Sequence, residues 1–252
     1  SLLKNYLQAY VCFRNGKNDQ AIEILSNKAE GPAYQAFPYL DYLMGVAKLN
    51  QLDLVSSEAY FNKFLQTNKG TNYIKSSYLH LAWIAFLKGE SAKSSALTTK
   101  ARASGFLYHE RDKQAQSEAA APIANPVLLK ARLLFDGGYL SKALALLLAK
   151  AVDEFDSAKD QTEYYYRLGR IYDDLGKDEL AIINYQNTIA TGKNLKYYYA
   201  ARAALLSGKL YEKKKNTPKA KQNFNIAINM KGHEYENSIE AEAKLGLKRL
   251  GG

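Results

Sequence analysis

The chain has 252 residues, 47% of them hydrophobic, with 35 basic and 25 acidic side chains and a net charge of +10. Its single cysteine excludes an internal disulfide, and no apolar run approaches the ~18 residues that a membrane-spanning helix needs. The basic balance favours acidic partners, anionic polymers or anionic membranes without choosing among them.

Taken in chain order, small residues recur as anchors of helical patterns. The first is Ala9, with Ala21 and Leu25 behind it and an Asn15-Gly16 turn between. Gly45 follows Met44, and Ala82 follows Leu81 with Ser94 and Ala101 behind. Ala131 leads Leu134, Ala143 and Leu147. Gly169 stands in Tyr165-x2-Leu168-Gly169-x2-Tyr172, followed by Ala181 and Tyr185. Gly208 leads Tyr211, Ala220, Phe224 and Ala227, and Leu245-Gly246 opens one last helix. The anchors are separated by 36, 37, 49, 38, 39 and 38 residues. A period of this length predicts a stacked array, because one helix pair alone cannot bury its apolar face.

The side chains fit that reading. A small anchor lets two helix backbones approach, and the small residue twelve later does the same on the second helix. Bulky residues such as Leu168, Ile171, Tyr172 and Leu175 flank them at helical spacing. Lys88-Gly89, Gly137-Gly138 and Leu175-Gly176 read as turns between paired helices. Asn125-Pro126 and Thr217-Pro218 read as an N-cap followed by proline at the first helical position. Cys12, three after the Ala9 anchor, is expected to be a buried core thiol.

The spacing resembles the tetratricopeptide repeat, W-x2-L-G-x2-Y followed by A-x3-F. Tyr165, Leu168, Gly169, Tyr172, Ala181 and Tyr185 carry the resemblance best, and the Gly208 copy follows with Ala204 in place of the aromatic residue. The resemblance implies an all-α fold: a right-handed α-α superhelix of six antiparallel helix pairs with a terminal helix. Its expected division is three pairs in residues 1–103, an insertion at 104–124, and three pairs plus a capping helix in 125–252. The 49-residue separation places about a dozen extra residues in the insertion, read as a loop or short helix where the stack changes pitch.

Chemistry has little to work with. The three histidines, His80, His109 and His233, make no metal-binding spacing, and no phosphate loop or nucleophile elbow is present. Asp173-Asp174 reads as a solvated helix end. No catalytic, cofactor-binding or metal-binding residue is expected, and the chain is not expected to be an enzyme.

What the resemblance implies instead is a non-catalytic scaffold that binds a protein or peptide in its concave groove. Carried onto this sequence, the groove positions give Arg132, Arg170 and Lys209 as a basic ladder flanked by Arg167, with Tyr166 nearby. The earlier repeats give Tyr10, Tyr42, Trp83 and Phe86 as an aromatic platform. An acidic partner follows from the ladder. Two alternatives stand beside this reading. One is a nucleic-acid or anionic-polymer binder, for which Lys213-Lys214-Lys215 is the tightest basic cluster. The other is an assembly or regulatory repeat domain of a larger protein. The sequence carries no targeting segment and leaves the compartment open between cytoplasmic and exported or periplasmic.

Overall fold

The computed structural model describes residues 1–28, 31, 37–123 and 125–251. The last residue of the expected insertion, 124, and the final Gly252 lie outside the described residues. Among those described there are α-helices, one short 3-10 turn and no strand. The chain forms two compact units, Ser1–Tyr139 and Leu140–Gly252. The division therefore falls after the fourth anchor rather than inside 104–124.

The first unit contains α1 (Leu2–Arg14), α2 (Asn18–Ser26), α3 (Tyr39–Asn50), α4 (Leu54–Thr67), α5 (Ile74–Leu87), α6 (Ser91–Ala103), α7 (Glu110–Glu118) and α8 (Pro126–Asp136). Helices α1/α2, α3/α4 and α5/α6 pair as hairpins. The anchors explain the pairing. Ala9, Gly45 and Ala82 are buried, and a Cβ on Gly45 would stand 2.9 Å from the Phe61 ring sixteen residues on. In two hairpins the residue twelve after the anchor is a serine that donates to the anchor's carbonyl: Ser57 Oγ to Gly45 at 2.8 Å and Ser94 Oγ to Ala82 at 2.9 Å. A small side chain there shortens the inter-helix distance, and its hydroxyl is satisfied by the helix it approaches.

Helix α8 does not continue the stack as the fourth first-helix. It packs on α3, and its end docks on the α1–α2 turn. Gly138 lies at φ +80°, and a Cβ there would come within 1.9 Å of the Gly16 carbonyl oxygen, so only glycine fits. Next to it, Tyr139 donates its hydroxyl proton to Asp19 Oδ1 at 2.6 Å and accepts from Asn18 Nδ2 at 3.0 Å. The first unit thus closes on its own beginning. The Asn125-Pro126 start of α8 is as expected, with Asn125 Oδ1 accepting from Val127 N at 2.9 Å.

The second unit contains α9 (Leu140–Leu148), the 3-10 turn Val152–Glu154, α10 (Ala158–Asp174), α11 (Asp178–Gly192), α12 (Tyr199–Lys213), α13 (Thr217–Asn229) and α14 (Glu236–Arg249). Helices α10 to α14 stack in sequence order, and α14 packs on both α12 and α13. A Cβ on Gly169 would meet Tyr185 at 2.5 Å. The Phe224 ring is held between two glycines, Gly208 and Gly246, each of whose Cβ positions lies 2.6 Å from it. Gly169–Tyr185 and Gly208–Phe224 are sixteen-residue pairs that the sequence pattern requires, and Gly246 meets Phe224 from the following helix pair's position. The N-cap of α13 is Asn216, one residue earlier than Thr217, and its side chain accepts from Lys219 N at 3.2 Å. Cys12 is only partly buried, unlike the expected core thiol.

Candidate functional site

In the first unit the insertion packs on α5. Tyr73, Ser76, His80 and Trp83 share one face of α5, and α7 packs against α5. Asp112, fully buried on α7, accepts from Tyr73 N at 2.6 Å and Ser76 N at 3.1 Å, capping the start of α5. His109 lies with its ring 4.4 Å from that of Tyr73. At the far end of α7, Glu118 takes two hydrogen bonds of 2.8 Å from Arg132. The Arg132 guanidinium also lies 5.0 Å above the Trp83 ring.

The aromatic residues expected to form a platform are mostly core. Tyr42 and Trp83 are 2% and 6% exposed. Tyr42 stacks on Tyr73 at 4.1 Å and bonds Ser76 at 2.8 Å, and burial pushes its hydroxyl up to about 12. Phe86 is partly buried against the same core. Tyr10 is partly buried and stacks on Tyr6, whose hydroxyl bonds that of Tyr73 at 2.7 Å. Arg132 belongs to this unit and is engaged by Glu118. The sequence offered no means of placing Glu118, because the insertion has no repeat register.

In the second unit three helices present matched columns of polar residues at helical spacing: Tyr166, Arg170 and Asp173 on α10; Tyr198, Arg202 and Lys209 leading into and along α12; Tyr235 and Glu242 leading into and along α14. The tyrosines form an edge-to-face row, with ring centroids 5.8 Å apart for Tyr166–Tyr198 and 5.4 Å for Tyr198–Tyr235. Glu242 receives two cations, Arg202 Nη1 and Lys209 Nζ, each at 2.7 Å. Its burial alone would raise its pKa, but the two cations hold it below the ordinary carboxylate value. Arg170 donates to the Tyr166 hydroxyl at 3.3 Å. Asp173 accepts from Tyr185 at 3.0 Å, and burial raises its pKa despite that bond.

Arg167 turns away from this face into the unit's interior. It pairs with Glu163, a fully buried carboxylate that also takes a 2.7 Å bond from Tyr199. Burial alone would raise the Glu163 pKa, and Arg167, Tyr199 and Lys159 together hold it low. The tyrosine triplets divide accordingly: Tyr166 and Tyr199 are buried, while Tyr165 and Tyr197 are only partly so.

Among the described residues, no group of three or more histidine, cysteine, aspartate or glutamate side chains is placed to hold a metal ion, and no helix is long and apolar enough to cross a membrane.

No protein-family model matches the chain, and no curated protein matches it. Solved structures match over nearly its whole length at low identity. The TPR domain of P58(IPK) is 13% identical, with 98% of this chain and 66% of that one covered and a TM-score of 0.38. The apo form of RapI is 13% identical, with 98% and 83% covered and a TM-score of 0.45. The C-terminal part of a TPR repeat-containing protein from Cytophaga hutchinsonii is 15% identical, with 96% and 99% covered and a TM-score of 0.37. The tetratricopeptide-like, all-α fold rests on this chain's own hairpins, three of them closed by a glycine against the ring sixteen residues on.

Proposed function

We propose that the protein is a non-catalytic scaffold that binds a carboxylate-bearing protein segment on the α10–α12–α14 face of its second unit. The observation that carries this reading is the Arg202–Glu242–Lys209 arrangement, in which two cations on α12 share one carboxylate on α14. Lys209 is 42% exposed and Glu242 35% exposed, so solvent and ligand both reach the group. A carboxylate arriving in an extended segment meets a local excess of positive charge and donors already oriented for it. Beside it Tyr198 and Tyr235, packed edge to face and backed by the buried Tyr166, supply rigid amphipathic contact area at small entropic cost. Arg170 and Lys209 retain the role expected of them in this proposal, joined by Arg202. Arg132, Tyr42 and Trp83 are left out of it, because the fold of the first unit engages them internally.

The polymer-binding alternative is weakened by pairing within the lysine cluster. Lys213 bonds Asp178 at 3.1 Å and Lys214 bonds Glu179 at 2.6 Å. The two readings separate in a pull-down at low salt from an extract of the source organism. Wild type is compared with an Arg170→Glu, Arg202→Glu, Lys209→Glu variant of verified helical content. The proposal expects a discrete protein retained by wild type and lost by the variant, unaffected by nuclease. Equal recovery on both baits, or only nuclease-sensitive and salt-labile material, would contradict it.

A further inference from the structure

The loop between α6 and α7 exposes three consecutive apolar side chains. Phe106, Leu107 and Tyr108 are 53%, 48% and 73% exposed, and the two rings stack in parallel at 5.3 Å. Single exposed apolar residues are ordinary, but a contiguous run with stacked rings marks a contact surface.

The loop is held rather than loose. At its base Lys75, itself buried, donates to the carbonyls of Arg102 at 2.8 Å and Ala101 at 3.4 Å. Gly105 sits at φ +72° so close to α5 that a Cβ would come within 2.8 Å of Ile74. On the other side the His109 ring packs at a tilt against Tyr73 and Asp112 caps α5. With both ends clamped, the three side chains project from a preformed tip.

The charge around the tip is net positive. Residues 100–113 contain Lys100, Arg102, Arg111 and Lys113 against Glu110 and Asp112. Asp112 is buried in the α5 cap, and Glu110 is paired with Lys113 at 2.7 Å. Arg102 and Arg111 are both exposed and flank the apolar run on its two sides. A convex tip of phenylalanine, leucine and tyrosine between arginines matches the headgroup boundary of an anionic bilayer. There, aromatic rings rest at the interface and cations meet lipid phosphates.

We infer that Phe106, Leu107 and Tyr108, with Arg102 and Arg111, form a peripheral docking tip for the surface of an anionic lipid membrane. The apolar residues enter the interfacial layer and the arginines pair with acidic headgroups. This surface lies wholly in the first unit and does not depend on the peptide-binding reading of the second.

The test is co-sedimentation of the full chain with vesicles of phosphatidylcholine alone and of phosphatidylcholine mixed with phosphatidylglycerol. Wild type is expected to sediment with the anionic vesicles and hardly with the neutral ones. Phe106→Ser, Leu107→Ser and Tyr108→Ser combined, all at exposed sites, should abolish sedimentation with helical content unchanged. Arg102→Gln with Arg111→Gln should weaken it roughly 30-fold, the factor expected for two cations near an anionic surface. In a separate Tyr108→Trp protein, the added fluorescence should shift to the blue on the anionic vesicles. Absence of sedimentation, or equal sedimentation of wild type and the triple variant, would overturn the inference. So would loss of a captured protein by the triple variant without any vesicle binding, which would give the tip to a protein partner instead.

Discussion

Glu118 grips Arg132 through two parallel hydrogen bonds of 2.8 Å, fastening the end of α7 to the face of α8. The pair is largely withdrawn from solvent, and with Asp112 at the other end it holds the insertion as part of the first unit's core. Glu118→Ala removes this clasp. Asp136, 3.7 Å from the same guanidinium, offers a partial replacement, so the expected cost is about 1–3 kcal/mol. Thermal unfolding should show the loss, and amide exchange should rise in α7 first while α10–α14 keep their protection. Exchange that rises equally in both units would contradict the assignment of α7 to the first alone.

Gly138→Ala tests the closure of the first unit. The substitution meets both a left-handed backbone and the Gly16 carbonyl, neither of which a flexible side chain can relieve. A destabilisation of roughly 3 kcal/mol or more is expected from the two effects together. Gly176→Ala, also at positive φ but with open space around it, should cost only about 1 kcal/mol. Comparing the two by chemical denaturation isolates the contact from the backbone preference.

Acid should destabilise the first unit through His80. Its ring packs against Phe61, Trp83 and Tyr42, and its buried Nδ1 has no hydrogen-bond partner among the described residues. Burial first, and the charge of Arg111 second, hold its pKa down at about 3. The unfolded chain takes up a proton near pH 6.5 that the folded chain refuses. Stability is therefore full above about 6.5 and falls as the pH drops toward 3, by up to ~1.4 kcal/mol per pH unit. Below the ordinary carboxylate range, protonation of Glu118, held low in the fold, adds to the loss in the first unit, and protonation of Glu163 destabilises the second unit in the same way. A His80→Phe variant should show a flatter profile between pH 6.5 and about 5, measured by denaturant unfolding at several pH values.

Much of the architecture could be read from residue spacing because hairpin packing is local. Gly45–Phe61, Gly169–Tyr185 and Gly208–Phe224 lie sixteen residues apart, and close approach of two consecutive helices demands a small residue at one end of that interval. What spacing could not carry was contact between distant segments. Gly138 meeting Gly16, Tyr139 bonding Asp19, and Glu118 meeting Arg132 depend on how the fourth anchor's helix turns back. The same limit applied to the candidate site. Periodicity placed Arg170 and Lys209 on helix faces but gave no sign that Glu242 on α14 would join Lys209 and Arg202. It also could not separate the aromatic residues that a ligand reaches from Tyr42 and Trp83, because core and platform share one spacing.

On the proposed function, a ligand carboxylate competes with Glu242 for Arg202 and Lys209. The most direct measurement is titration calorimetry with acidic peptides selected from a random display library. Wild type would be compared with Glu242→Gln and with Arg202→Gln, Lys209→Gln. Glu242→Gln should bind the peptides several-fold more tightly, since both cations are released. The double variant should bind them at least tenfold more weakly, with the loss diminishing as salt is raised. Equal affinities across all three proteins would contradict the proposed competition.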